Sequence, residues 1–179
     1  MSMSILKVAR LGNPVLRDAA RALSKGQISS SETQRLIDDM IETMREYNGV
    51  GLAANQVHES RQIAVLEVAD NPRYPEKAAV PLSVLINPKI EPLSEEMEDD
   101  WEGCLSVPDL RGSVPRYKKI RVRAFDRAGA ALDFVASGFH ARVVQHEWDH
   151  LNGKVYLDRM RDLSTLAHLQ EFARYWAEK

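Results

Sequence analysis

The feature that most constrains this chain of 179 residues is the run Gln145-His146-Glu147-Trp148-Asp149-His150-Leu151-Asn152-Gly153. It contains His-Glu-x-x-His. On an α-helix, residues four apart share a face, so His146 and His150 can point at one atom. Glu147 sits beside the first histidine, within reach of a water on that atom. Two neutral imidazoles and a nearby carboxylate make a metal site with its own general base. Phe139, Val143, His146 and His150 follow helical spacing, which places the ligands among apolar neighbours on a buried face. Gly153 is positioned to end the helix as a left-handed cap.

Elsewhere the hydrophobic pattern predicts a mixture of helices and strands. Residues 31–48 read as a long helix, with Ser31 and Gln34 as a capping box. Its apolar stripe is Leu36, Ile37, Met40, Ile41, Met44 and Tyr47, and Asn48-Gly49 is the stop signal. Residues 5–23 look irregular, with Gly12-Asn13-Pro14 as a turn. Runs 62–68 and 82–86 read as strands, the second ended by Asn87-Pro88. The proline-bearing stretch 70–81 reads as a loop, and so does the acidic stretch 95–100. Residues 120–125 and 131–136 alternate across a turn and predict a hairpin with one wet face. Residues 155–157 suggest a short strand, and 163–177 a terminal amphipathic helix with Leu166, Leu169, Ala173 and Trp176 on one side.

The length suits one domain spanning 1–179. A formal net charge of -2 gives no electrostatic case for nucleic acid. No apolar run reaches membrane-spanning length, and the N-terminus lacks the pattern of a secretory signal. The single cysteine, Cys104, excludes a disulfide framework and leaves three readings: core thiol, nucleophile or metal ligand. Two candidates compete for a third metal ligand. Glu171 lies 21 residues beyond His150, as in thermolysin-like proteases. Cys104 would give two imidazoles and a thiolate, with one position left for water. The run Gly49-Val50-Gly51-Leu52-Ala53-Ala54-Asn55-Gln56 likewise has two readings. It is a tight connection, or it is a substrate-facing loop offering backbone N–H groups and the Gln56 amide to an oxyanion.

Three blocks together resemble the peptide deformylase family: Gly49 to Gln56, then Glu102-Gly103-Cys104-Leu105-Ser106, then Gln145 to Gly153. They match Gly-x-Gly-x-Ala-Ala-x-Gln, Glu-Gly-Cys-Leu-Ser and His-Glu-x-x-His in chain order. The likeness extends over nearly the whole chain. It implies an α+β fold, with small antiparallel sheets around a central helix carrying His-Glu-x-x-His and a C-terminal helix. It implies a hydrolase that removes the N-formyl group from the formylmethionine of nascent polypeptides and releases formate.

By position in the family, Cys104, His146 and His150 match the metal ligands. Glu147 matches the general base acting on a metal-activated water. Gln56 and the Leu105 backbone N–H match the donors to the formyl oxygen. Gly51 matches a backbone contact to substrate. Val50, Phe139 and Val143 are candidates for an apolar methionine slot, with Arg142 at its rim. The cofactor implied is one divalent metal, Fe2+, with Zn2+, Ni2+ or Co2+ as substitutes. The implied partners are formylmethionyl peptides and nascent chains, with the ribosome as a further one. The implied setting is a cytoplasmic monomer. Asp149 is expected to orient a neighbour such as Arg116. Competing functions are an endopeptidase using Glu171, a cysteine hydrolase using Cys104 as nucleophile, and a non-catalytic relative.

Overall fold

The computed structural model describes residues 4–68 and 79–177, so residues 70–78 of the expected loop lie outside the described ones. In chain order the described strands are β1 (Gly51–Ala53), β2 (Ile63–Val68), β3 (Val80–Pro92), β4 (Met97–Cys104), β5 (Val107–Tyr117), β6 (Lys119–Phe125), β7 (Ala131–Ser137) and β8 (Ala167–His168). The α-helices are α1 (Lys25–Ile28), α2 (Ser31–Glu46), α3 (Gly138–Leu151) and α4 (Leu169–Tyr175). The strands form a five-stranded sheet, β1-β2-β3-β6-β7, and a three-stranded sheet, β4-β5-β8. All pairings are antiparallel. This is the expected α+β arrangement.

The larger sheet is buried on both faces at β2, whereas β6 and β7 keep one face open to solvent. One face of β2 carries Ile63 and Val65, which pack with Ile37, Met40 and Met44 of α2. The other carries Leu66, which clusters with Ile120, Val122 and Ala136 and with Ala141, Val143 and Val144 of α3. The period-2 alternation of the strand therefore serves two helices, one on each side. Helix α3 also touches β5 of the smaller sheet, so the His-Glu-x-x-His face sits where the two sheets meet.

Several local expectations are corrected. The cap of α2 is Ser30, whose hydroxyl accepts the Thr33 N–H at 3.2 Å. Gln34 is no capping partner; its amide donates to the carbonyls of Ile28 and Arg127 at 2.9 and 2.8 Å. Tyr47 leaves the apolar stripe and is exposed. Asn87-Pro88 does not end β3. The strand continues through an irregularity between Ile86 and Lys89, with Asn87 at φ 53° and its side chain bonded to both backbone groups of Leu23. A bulge absorbs the missing proline N–H.

The acidic stretch is a loop only in its first part. From Met97 it runs into β4, where Glu98 lies opposite Arg116 of β5. Residues 155–157 form no strand; a 3-10 turn spans Tyr156–Arg159. The terminal helix begins only at Leu169, because Ala167–His168 first pairs with Leu110 and Arg111. Phe172 of this helix and Trp176 just beyond it pack against Trp101, with ring centroids 4.8 and 5.3 Å apart. Gly153 follows the end of α3 at φ 71°, and a Cβ there would strike the Arg17 carbonyl.

Candidate metal centre

Helix α3 delivers His146 and His150 one turn apart, with their Nε2 atoms 3.2 Å from each other. The end of β4 brings Cys104 to the same point, its Sγ 3.2 Å from His150 Nε2. One ligand atom from each of the three lies within 4.8 Å of the others. Glu171 is exposed on α4 and is not part of this group. Of the two candidates for a third ligand, Cys104 stands with the histidines and Glu171 does not.

The three donors suit a transition metal. Two imidazoles and a thiolate match zinc, iron or nickel rather than a hard, oxygen-seeking cation. Burial opposes ionisation of the Cys104 thiol, but the His150 and His146 rings beside it hold the thiol well below its ordinary value.

The sequence pattern alone assigns Glu102 no role. The structure places it buried behind the ligands. One oxygen accepts from His146 Nδ1 at 2.9 Å, which leaves Nε2 facing Cys104 and His150. Burial raises the proton affinity of Glu102, yet Arg116 and His146 outweigh it and hold the carboxyl well below the usual range. Arg116 grips Glu102 through Nε and Nη2 at 2.9 and 3.0 Å, and donates to Asp149 Oδ2 at 2.5 Å. The expected Asp149–Arg116 contact is thus present. Arg159 donates to Asp149 from the other side.

Arg142 lines the cleft as a buried side chain, not as an exposed one at its rim. It is buried and donates to Glu102 Oε1 at 2.9 Å and to the Val114 carbonyl at 2.8 Å. Two arginines on one glutamate compensate a charge that would otherwise be costly to bury. Nothing in the one-dimensional pattern marks Arg142 as internal. The Glu-Gly-Cys-Leu-Ser block was the available signal for Glu102.

The remaining expected residues converge on the same cleft. Val50, Gly51, Gln56, Leu105, Phe139, Val143 and Glu147 all line it together with Cys104 and His146. Glu147 is buried, and its Oε2 has no hydrogen-bond partner among the described residues. Burial pushes its carboxyl up to about 7, although His146 and His150 pull the other way. Gly51 leaves room for it, since a Cβ at that position would collide with the Glu147 carboxyl. Gln56 is fixed in orientation. Its oxygen accepts the Ala53 N–H at 2.8 Å, so its NH2 is turned inward, 3.1 Å from Ser106 Oγ and 3.5 Å from Cys104 Sγ.

Comparison with known proteins shows the family. The family model described as polypeptide deformylase matches residues 5–165. The chain belongs to the polypeptide deformylase family. It is 50% identical over 159 residues to peptide deformylase 1 of Nitrosomonas europaea, covering 89% of each chain. It is 49% identical over 163 residues to peptide deformylase 1 of Bordetella pertussis, covering 91% of this chain and 92% of that one. Among solved structures it resembles the Met-Ala-Ser-bound class I type b peptide deformylase of Acinetobacter baumannii. The TM-score is 0.86 at 40% identity, over 89% of this chain and 100% of that one. An actinonin-bound peptide deformylase from Synechococcus elongatus gives a TM-score of 0.80 at 35% identity, over 97% of this chain and 87% of that one. Deformylases are hydrolases that remove N-formyl groups from nascent polypeptides, and this chain is one of them. No helix among the described residues is long and apolar enough to cross a membrane.

Proposed function

We propose that the chain cleaves the formyl amide of formylmethionyl peptides and nascent chains in this cleft, releasing formate and a free amino terminus. One observation carries the reading: a thiol and two imidazole nitrogens converge within 4.8 Å beside a buried carboxylate. Cys104, His146 and His150 would hold one divalent ion. Fe2+ is the ion the family resemblance implies, and Zn2+, Ni2+ or Co2+ suit the same donors. When bound, such an ion supplies Lewis acidity, acidifying a water and polarising a carbonyl.

The chain's own groups do the rest. Glu147 is the general base: it accepts the proton of the attacking water and returns it to the leaving amine. Its raised proton affinity suits a group that must both take and give up a proton near neutral pH, and a neighbouring cation lowers that affinity. The inward NH2 of Gln56 and the Leu105 backbone N–H are donors to the charge that develops on the formyl oxygen. Glu102 keeps His146 in one tautomer, and Arg116 and Arg142 keep Glu102 charged. Val50, Phe139 and Val143 form the walls for the methionine side chain, and the Gly51 backbone contacts the peptide. An apolar slot discriminates by only about 1–3 kcal/mol per methylene, so other formyl peptides react more slowly rather than not at all.

The whole of 1–179 acts as one catalytic domain, a cytoplasmic monomer working on chains as they leave the ribosome. The match over 5–165 and the contacts of α3 with both sheets support the single unit. The test is a comparison of variants. Glu147→Ala is expected to keep one equivalent of metal and lose turnover about 10²–10⁴-fold, the size of a general-base contribution. Cys104→Ser is expected to lose metal as well, and Glu171→Ala neither. Wild-type turnover by Glu147→Ala would overturn the assignment.

A further inference from the structure

Beside the metal cleft lies a second cavity of about 630 Å³, and Cys104 and Leu105 line both. Its walls are uneven in charge. Among the described residues, Lys7, Arg10 and Arg111 line it, against a single acidic residue, Asp109, and the remainder includes apolar side chains such as Val107 and Leu110. Arg111 is engaged, with its guanidinium 5.2 Å from the centroid of the Phe172 ring. Lys7 and Arg10 are exposed, and neither side chain has a carboxylate or hydrogen-bond partner among the described residues.

Their placement is not a matter of a loose terminus. The Ala9 N–H donates to the carbonyl of Gln56 and the Leu11 N–H to that of Ser106, both at 2.7 Å. The segment bearing Lys7 and Arg10 is therefore stitched on both sides to the residues that surround Cys104. Any peptide whose first residue lies in the metal cleft, and whose chain continues past Leu105, runs into two free cations over a partly apolar floor.

We infer that this cavity receives the part of the peptide downstream of the formylated residue, and that Lys7 and Arg10 favour an acidic side chain there. The inference rests on the formyl-peptide reading above and adds a charge preference to it. Long-range attraction raises the encounter rate of acidic peptides, and a direct ion pair holds them. Both effects are screened by salt.

The experiment compares kcat/KM for formyl-Met-Ala-Ala-Ala-Ala and its variants with Asp or Lys placed in turn at positions three, four and five. At the best position the wild type is expected to favour Asp over Lys by about 3- to 10-fold at low salt, the size that exposed ion pairs permit. The ratio is expected to shrink toward one at about 1 M salt, where the screening length falls to about 3 Å. In the Lys7→Glu/Arg10→Glu protein the ratio is expected to invert. Turnover of the Ala peptide with equal rates for Asp and Lys at every position would overturn the charge preference while leaving the reaction intact. A ratio indifferent to salt would also overturn it. Absence of turnover with every formyl peptide would instead overturn the reading on which it rests.

Discussion

Gln56 shows how one amide is aimed. Its oxygen is occupied by the Ala53 N–H, so the NH2 is turned toward Cys104 and Ser106. The account gives that NH2 the developing charge on the formyl oxygen. Gln56→Ala should therefore lower kcat about 10²–10³-fold with KM changed far less, as removal of an oxyanion donor does. Steady-state kinetics on formyl-Met-Ala-Ser check this, and an unchanged kcat would remove Gln56 from the mechanism. The residues legible in the sequence were those whose chemistry survives in one dimension. His146, Glu147 and His150 announce themselves by spacing along a helix. Cys104 shows its nearness to the histidines only in the fold, because 46 residues of chain separate it from His150. Arg142 was read as peripheral because a charged side chain is ordinarily solvated. Only the meeting of Glu102 with three backbone carbonyls explains its burial.

Helix α3 and the β6–β7 hairpin were readable because their periodicity matches their burial. Other elements were hidden by competing signals. The acids of β4 resemble a solvated loop, yet their strand partner supplies Arg116, Pro115 and Val114 opposite Glu98, Asp99 and Asp100. Asn87-Pro88 resembles a terminator, yet the bulge lets β3 cross from β2 to β6. The terminal helix is shorter than its pattern because two of its residues are drawn into the β5 edge. What joins these elements at the site is Arg116. It stands on β5, grips Glu102 on β4 and reaches Asp149 on α3. Arg116→Ala would leave part of two buried carboxylates without a partner. Its expected cost is about 3–5 kcal/mol, read from urea unfolding, together with weaker metal retention. A loss below about 0.5 kcal/mol, the range of an ordinary surface substitution, would contradict the structural role given to this group.

For the molecule as a whole, the same buried cluster sets a pH dependence. Burial opposes the charge on Glu102 and Asp149, but Arg116 with His146 at one, and Arg159 with Arg116 at the other, hold both carboxyls below their ordinary range. Their folded values are thus lower than their unfolded ones. The stability they contribute is fully present above the ordinary carboxylate value, about 4, and is lost as pH falls through it toward the folded values. The thermal midpoint of the protein should drop steeply below about pH 4, and Asp149→Asn should show a shallower drop from a lower starting point. Equal slopes for the two proteins would contradict that assignment.

The central claim is that a metal held by Cys104, His146 and His150 serves deformylation. It is tested most directly by release of free amine from formyl-Met-Ala-Ser by anaerobically purified protein, with and without a chelator. The account predicts turnover that the chelator abolishes and Fe2+ restores. Turnover indifferent to the chelator, or none from protein holding one equivalent of metal, would contradict it.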